Sequence, residues 1–263
     1  MSATKRWALV LEYDGSGFSG WQTQGHADSL QARLEAALAR VADRPLEAVC
    51  AGRTDAGVHA THQVVHFDSP VDRPPRAWVR GVNSHLPRSM AVRGAWPVAA
   101  EFHARFSATA RRYRYVIHTD PVRPALQRQQ VSWTRLPLDA VAMQAGAELL
   151  LGEHDFNAYR SAACQARHAV RELRSLQVSA AGRHVFLDVE ANAFLHHMVR
   201  NLAGVLMAIG AGERPPQWAR EVLETRDRRA GGVTAPAEGL YLVAVRYPER
   251  FGLPAQGPLP VFA

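Results

Sequence analysis

Leu46-Glu47-Ala48-Val49-Cys50, then Ala51-Gly52-Arg53-Thr54-Asp55-Ala56-Gly57-Val58-His59, then His62-Gln63-Val64-Val65-His66-Phe67 read as strand, loop and strand. Glycines at 52 and 57 bracket an arginine, a threonine and an aspartate. Glycine permits a tight backbone path and the close approach of a ligand. Asp55 stands two residues from Arg53 and four from His59. A carboxylate near a guanidinium stays ionised, which suits a nucleophile or general base better than a general acid. The same residues also suit a purely structural loop, with Asp55 capping its own turn or pairing with Arg53. The rest of the chain has to decide between them.

Upstream, Lys5 to Tyr13 alternates as a half-buried strand with Trp7, Leu9, Leu11 and Tyr13 on one face. Asp14-Gly15-Ser16-Gly17 turns the chain into Phe18-Ser19-Gly20-Trp21-Gln22. Asp28 with Gln31 reads as a capping box ahead of a helix whose buried stripe is Leu30, Leu34, Leu38 and Val41. Downstream, Pro74-Pro75 opens a short helix and a strand runs from about Met90 to Trp96. The order is strand, helix, strand, strand, helix, strand.

A second series follows. Thr109 to His118 is a strand with Arg111, Tyr113, Tyr115 and Ile117 on one face and Arg112, Arg114 and Val116 on the other. Leu138, Val141, Ala142, Ala145 and Leu149 form a helical stripe. Val170–Val178 and Arg183–Ala191 form a hairpin. Phe194 to Ile209 is a long apolar helix with Leu195, Met198, Leu202, Val205 and Ile209 inward, a short helix follows around Trp218 to Leu223, and Leu240 to Tyr247 is the last strand. The expected fold is α+β: two ferredoxin-like (RNP-like) β-α-β-β-α-β domains with antiparallel sheets, of residues 1–108 and 109–248, and an irregular proline-rich tail of 249–263.

The chain of 263 residues carries 31 lysines and arginines against 24 acidic residues, a net charge of +7, and Lys5 is the only lysine. Arginine's planar fork of donors suits phosphates and bases, so the surplus points to a polyanionic partner. Cys50 and Cys164 stand far apart and form neither a disulfide framework nor a zinc pattern. No apolar run is long enough to span a membrane, and the start leads straight into a strand, so a cytoplasmic protein with free thiols is expected. Dinucleotide, phosphate-loop and zincin motifs are missing, which argues against a nucleotide cofactor. His59, His62, His66 and the pair His196-His197 lack the spacing of a familiar metal site, so no metal is expected.

Two further stretches bear on function. Arg111-Arg112-Tyr113-Arg114-Tyr115 sets tyrosines beside arginines on one strand, as an RNA-binding sheet does, or as a sheet with core tyrosines and solvated arginines does. Arg200 is a lone charge in an apolar helix, where an unpaired buried charge is costly, so it wants a specific partner unless it is exposed.

Taken together, Tyr13-Asp14-Gly15 with Phe18 and Gly20-Trp21-Gln22, Gly52 to His59, Phe102-His103-Ala104-Arg105, Arg112-Tyr113-Arg114-Tyr115, Met198-Val199-Arg200, and Thr234-Ala235-Pro236 with Gly239-Leu240 resemble the bacterial tRNA pseudouridine synthase A family. The resemblance runs in order from about residue 6 to 248. It implies isomerisation of uridine to pseudouridine at positions 38, 39 and 40 of the tRNA anticodon arm, without metal or organic cofactor. It implies a homodimer of two-domain subunits with the active cleft between the domains and no role for DNA or membrane.

By that resemblance Asp55 matches the family's invariant aspartate, and Arg53 the arginine that pairs with it and helps extrude the base. Tyr113 matches the tyrosine stacking on the uracil, and Arg200 the arginine that salt-bridges the aspartate. Arg112 and Arg114 would join Tyr113 in binding substrate. The sequence departs from the family at His62, where a small residue is usual, and at Ala237, where a second proline is common. A non-catalytic RNA-binding protein, and a hydrolase using Asp55 with a histidine, are the rival readings; each would tolerate or demand different groups at 55 and 59.

Overall fold

A computed structural model describes residues 4–25, 27–260 and 262. It is an α+β fold that divides into two compact units, Met1–Thr109 with Leu242–Pro260, and Ala110–Tyr241 with Val261–Ala263. No helix among the described residues is long and apolar enough to cross a membrane.

The first unit contains β1 (Lys5–Tyr13), α1 (Leu30–Ala42), β2 (Val49–Cys50), β3 (His59–Ser69), α2 (Pro75–Asn83) and β4 (Met90–Val98), and is joined by β10 (Leu240–Arg246). Its strands lie in the order β4-β1-β3-β10, with β2 also paired to β3. Both β1–β3 and β1–β4 are antiparallel, and Trp7 sits opposite Phe67. On that face Trp7 and Phe67 meet Trp78 of α2 at ring distances of 6.0 and 4.9 Å. Burying each such ring contributes roughly 1.5–3 kcal/mol.

The expectation of a half-buried β1 is corrected: Trp7, Ala8, Leu9, Val10 and Leu11 are all buried. The second face of this sheet is closed by chain segments rather than helices. His66 of β3 packs edge-on against Phe102, and Phe102 in turn meets Tyr247 and Phe251, each at 5.0 Å. Alternation cannot reveal such cover, because residue 102 lies outside the helices and strands and residue 251 ends a single 3-10 turn.

Other local readings also change. Ser29, not Asp28, caps α1, accepting from the Ala32 N–H. Asp28 is instead turned to the Arg33 guanidinium, at 2.7 and 2.8 Å. Gln31 is spent on the Thr23 N–H, on Glu35 and on the Ala48 carbonyl. The strand expected from Leu46 shrinks to two residues. The proline-rich tail docks on β3: the His62 Nε2 lies 3.1 Å from the Pro254 carbonyl, and Gly257 N–H donates to Val243 O. A Cβ at Gly257 would stand 2.4 Å from Thr61 O, so only glycine lets the tail pass that close.

The second unit contains β5 (Ala110–Thr119), β6 (Ser132–Thr134), α3 (Ala140–Glu148), β7 (Gly152–Asp155), β8 (Val170–Ala181), β9 (His184–Ala191), α4 (Met198–Gly210) and α5 (Trp218–Thr225). Its strands lie in the order β5-β9-β8-β7, with β6 parallel to β5. The β8–β9 hairpin turns at Gly182, whose φ of +56° is the left-handed conformation glycine adopts without cost. The stripe expected for α3 is corrected: Met143, Gly146 and Ala147 face inward, while Val141 is exposed. The helix expected from Phe194 begins only at Met198, because His197 has a φ of +62° and breaks the helical path ahead of it.

Candidate active site

The Asp55 loop is built by its neighbours. Ala51 N–H donates to Val64 O, and the Gln63 amide donates to Gly52 O at 2.6 Å. Thr54 is buried, its hydroxyl 2.8 Å from the Tyr13 hydroxyl, and its carbonyl accepts from the Trp21 N–H. Asp55 O accepts from the Val58 N–H, closing a turn through Gly57 at φ +79°. The stretch after β1 lies directly against this loop. A Cβ at Gly15 would stand 2.0 Å from Val58 O, and one at Gly20 (φ +92°) would stand 2.9 Å from Thr54 O. Tyr13-Asp14-Gly15 and Gly20-Trp21 are therefore the cradle of the aspartate loop, a role that sequence proximity alone could not assign to them.

Within that cradle Asp55 is half-buried and Arg53 exposed. His59 opens β3 with Nδ1 3.1 Å from both the Gly15 N–H and an Asp14 carboxylate oxygen. One Nδ1 serves these one at a time, accepting from Gly15 when bare and donating to Asp14 when protonated. The bond with His59 is the main reason the Asp14 carboxyl is held well below the usual carboxylate range. Cys50, at the root of the loop, is buried, and burial pushes its thiol up to about 12 despite the opposing field of Arg53 and Arg105. Such a thiol is inert. Gln63 and Thr54 escaped the sequence reading; the only signal for them was a polar side chain beside the loop.

The second unit supplies a different group of side chains. Tyr113 lies on β5 opposite Val189, buried, with its ring edge-on to Phe194 at 5.1 Å. Arg112 and Arg114 point to the other face, where both meet Asp188 of β9. Arg114 binds it in a fork at 2.6 and 3.0 Å, and Arg112 stands at 3.4 Å. The Arg114 guanidinium also lies over the Phe186 ring. Two-point pairing of this kind is the strong form of the arginine–carboxylate bond, so Arg114 is held while Arg112 keeps donors to spare.

Arg200 sits in the first turn of α4, half-buried, and its Nε donates to the Ala235 carbonyl at 2.8 Å. In return the Ala235 N–H donates to the Arg200 carbonyl. Beside it the Thr234 hydroxyl donates to Asn201, whose amide donates to Tyr159 O. A Cβ at Gly204 would stand 1.9 Å from Val233 O. Thr234-Ala235-Pro236 is thus stitched to the start of α4 and fixes Arg200 in one orientation. Two of the histidines of β3 are engaged with backbone: His62 with Pro254 O, and His66 Nδ1 with the Ala104 N–H.

Comparison with known proteins agrees with this arrangement of motifs. The family model described as tRNA pseudouridine synthase matches residues 9–107 and 147–248. The chain is 57% identical over 252 residues to tRNA pseudouridine synthase A of Stenotrophomonas maltophilia (strain R551-3), covering 95% of this chain and 98% of that one. It is 55% identical over 257 residues to the protein of that name from Alcanivorax borkumensis, covering 97% and 96%. Among solved structures it is similar to one described as a Cbf5-Nop10-Gar1 complex, at 12% identity and a TM-score of 0.36, covering 89% of this chain and 57% of that one. So distant a likeness adds nothing to the argument. The chain belongs to the tRNA pseudouridine synthase family, and it is accordingly an enzyme of the isomerase class.

Proposed function

We propose that this enzyme converts uridine to pseudouridine at positions 38, 39 and 40 of the tRNA anticodon arm, with Asp55 as its essential group. The observation that carries the proposal is the Asp55 loop itself, held by Tyr13, Gly15, Gly20 and Gln63, in a chain whose relatives are named tRNA pseudouridine synthase A.

The reaction breaks the C1′–N1 glycosidic bond, turns the uracil, forms a C1′–C5 bond and releases the C5 proton. An ionised carboxylate starts it either by taking the C2′ proton, giving a glycal, or by attacking C1′, giving a sugar ester. Both routes ask for an ionised Asp55 in a site that excludes water. Arg200 keeps that carboxylate ionised and aligned. Tyr113 stacks on the detached ring. Arg53, exposed on the loop, fills the space of the flipped nucleotide, since chemistry on a base needs the base out of its stack. Arg112 contacts the RNA backbone with the donors that Asp188 leaves it, and Arg114 supports it through the same carboxylate. No metal or organic cofactor enters the scheme.

Further parts of the reading are proposals of the same standing. Each unit is a variant of a ferredoxin-like domain, the order β1-α1-β2-β3-α2-β4 supporting this for the first. The enzyme works in the cytoplasm as a homodimer, which light scattering of the purified protein tests. The site assignment is tested by treating unmodified tRNA with the enzyme in EDTA and mapping pseudouridine by carbodiimide-dependent reverse-transcription stops. Stops at 38 to 40 are expected; pseudouridine elsewhere, or none, overturns it.

A further inference from the structure

Farther along β3 from the aspartate loop, a cavity of about 610 Å³ opens within the first unit, bordered by residues 44–49, the end of β3, Arg6 and His103. Two imidazoles face it. His66 is 5% exposed, and its Nδ1 accepts from the Ala104 N–H at 3.1 Å. The His103 Nδ1 accepts from the N–H groups of Arg105 and Phe106, each at 3.2 Å. A neutral imidazole carries a single proton, so a ring whose Nδ1 accepts must carry it on Nε2. Burial first, and then the charge of Arg6, keep both rings neutral: His66 is lowered to about 4, and His103 moves the same way. Neither Nε2–H meets an acceptor among the described residues. The two rings lie 4.7 Å apart, centre to centre.

The surrounding groups define what these donors would take. Arg6 is spent on Asp68, at 2.8 and 2.7 Å, and on the carbonyls of Ala100 and Phe102. That pairing leaves the imidazoles of buried His66 and half-buried His103 as unspent donors in the cavity wall. Pro45, Leu46 and Pro70 supply apolar walls, and Arg44 and Glu47, of opposite charge, stand exposed at the rim. Such donors against apolar walls suit a ligand with several lone pairs at one end and a flat, weakly polar body at the other. The surface continues from His103 to the Phe106 ring, 4.4 Å away and 75% exposed, with the Arg105 guanidinium 5.5 Å from that ring. An exposed aromatic beside a guanidinium is the arrangement on which nucleic-acid bases stack.

We propose that this cavity is a second nucleotide site, in which a phosphate accepts from Nε2–H of His66 and of His103 while sugar and base lie against Pro45, Leu46 and Pro70. The phosphate comes from a strand of the RNA substrate or from a free nucleoside monophosphate. The first source rests on the function proposed above.

The test uses full-length enzyme labelled with ¹⁵N-histidine, titrated separately with uridine 5′-monophosphate and with unmodified tRNA, reading the imidazole nitrogens by NMR. The Nε2 signals of His66 and His103 are expected to move while their Nδ1 signals stay. Movement with the monophosphate assigns a free nucleotide, and movement with tRNA alone assigns the RNA strand. The His103→Asn variant keeps an acceptor for the Arg105 and Phe106 N–H groups but removes the Nε2 donor. It is expected to weaken whichever ligand binds three- to tenfold, and for tRNA to raise KM with kcat unchanged. Because the lost donor is neutral, the salt dependence of binding should stay as in the parent. Unmoved Nε2 signals with both probes overturn the proposal, even if the enzyme isomerises uridine. Moved signals in an enzyme that fails to isomerise leave this site standing and sink the function proposed above.

Discussion

The hydroxyls of Tyr13 and Thr54 lie 2.8 Å apart in the buried interior, tying the end of β1 to the residue before Asp55. Gln63 completes the tie, its amide 3.3 Å from the Tyr13 hydroxyl and 2.6 Å from Gly52 O, while its own carbonyl oxygen has no partner among the described residues. The Asp55 loop is thus held from below by the side chains of Tyr13, Thr54 and Gln63.

Thr54→Val keeps the shape and removes the hydroxyl, and with it the 2.8 Å bond to the Tyr13 hydroxyl. A buried polar group stripped of its bond costs about 1–3 kcal/mol. The expected outcome is a fall in stability of that order by urea unfolding, together with a drop in kcat at unchanged KM. A variant of parental kcat would show that the tie does not position Asp55.

Gly15→Ala places a methyl 2.0 Å from the Val58 carbonyl, and backbone cannot yield as a flexible side chain does. The loop must shift, and a displacement near 1 Å costs on the order of 10²-fold in rate. Gly17→Ala, two residues on, meets nothing within 4 Å and serves as the control. Activity lost at 15 and kept at 17 is the expected pattern, read by the same tRNA assay.

Arg200→Lys retains the charge but loses the Nε–H that reaches Ala235 O. Lysine's point charge does not reproduce a fixed guanidinium plane. Activity should fall at least tenfold while tRNA binding by filter retention changes little. Full activity in the lysine variant would mean that charge alone suffices at this position.

His62 is buried beneath the tail, and burial lowers it from an ordinary 6.5 to about 4. Between those values the unfolded chain binds a proton that the folded one refuses, so folding stability falls as pH drops from 6.5 towards 4. At pH 5 this single group accounts for roughly 1–2 kcal/mol. Urea unfolding of the parent and of His62→Asn at pH 7 and pH 5 checks it, the variant showing the smaller loss. Equal losses would remove His62 from the account.

Much of this was legible in the sequence, for physical reasons that differ from place to place. The loop at 51–59 and the strands around it announce themselves because glycines and alternation act locally. The β8–β9 hairpin does so because Gly182 has to turn it. The start of α4 was not legible: the apolar run through Phe194 and Leu195 is helical in composition, and only the left-handed His197 stops it. Nor was the α3 face, where Ala and Gly pack inward because Gly146 lies against Ile209 and Leu206 of α4. The burial of the second face of β1 and the cover over His62 come from segments without an extended period. For the site, motif resemblance puts forward Asp55, Arg53, Tyr113 and Arg200 as candidates, but not the Tyr13–Thr54–Gln63 support, which exists only once β1 and β3 are paired.

The most direct measurement is tritium release from tRNA labelled at uracil C5, comparing the parent enzyme with Asp55→Asn in the absence of added metal or nucleotide. Carboxamide in place of carboxylate keeps the shape and removes the base or nucleophile. The account predicts stoichiometric release into water by the parent and none above background by the variant, with both binding tRNA equally. Release by Asp55→Asn at the parental rate would contradict it.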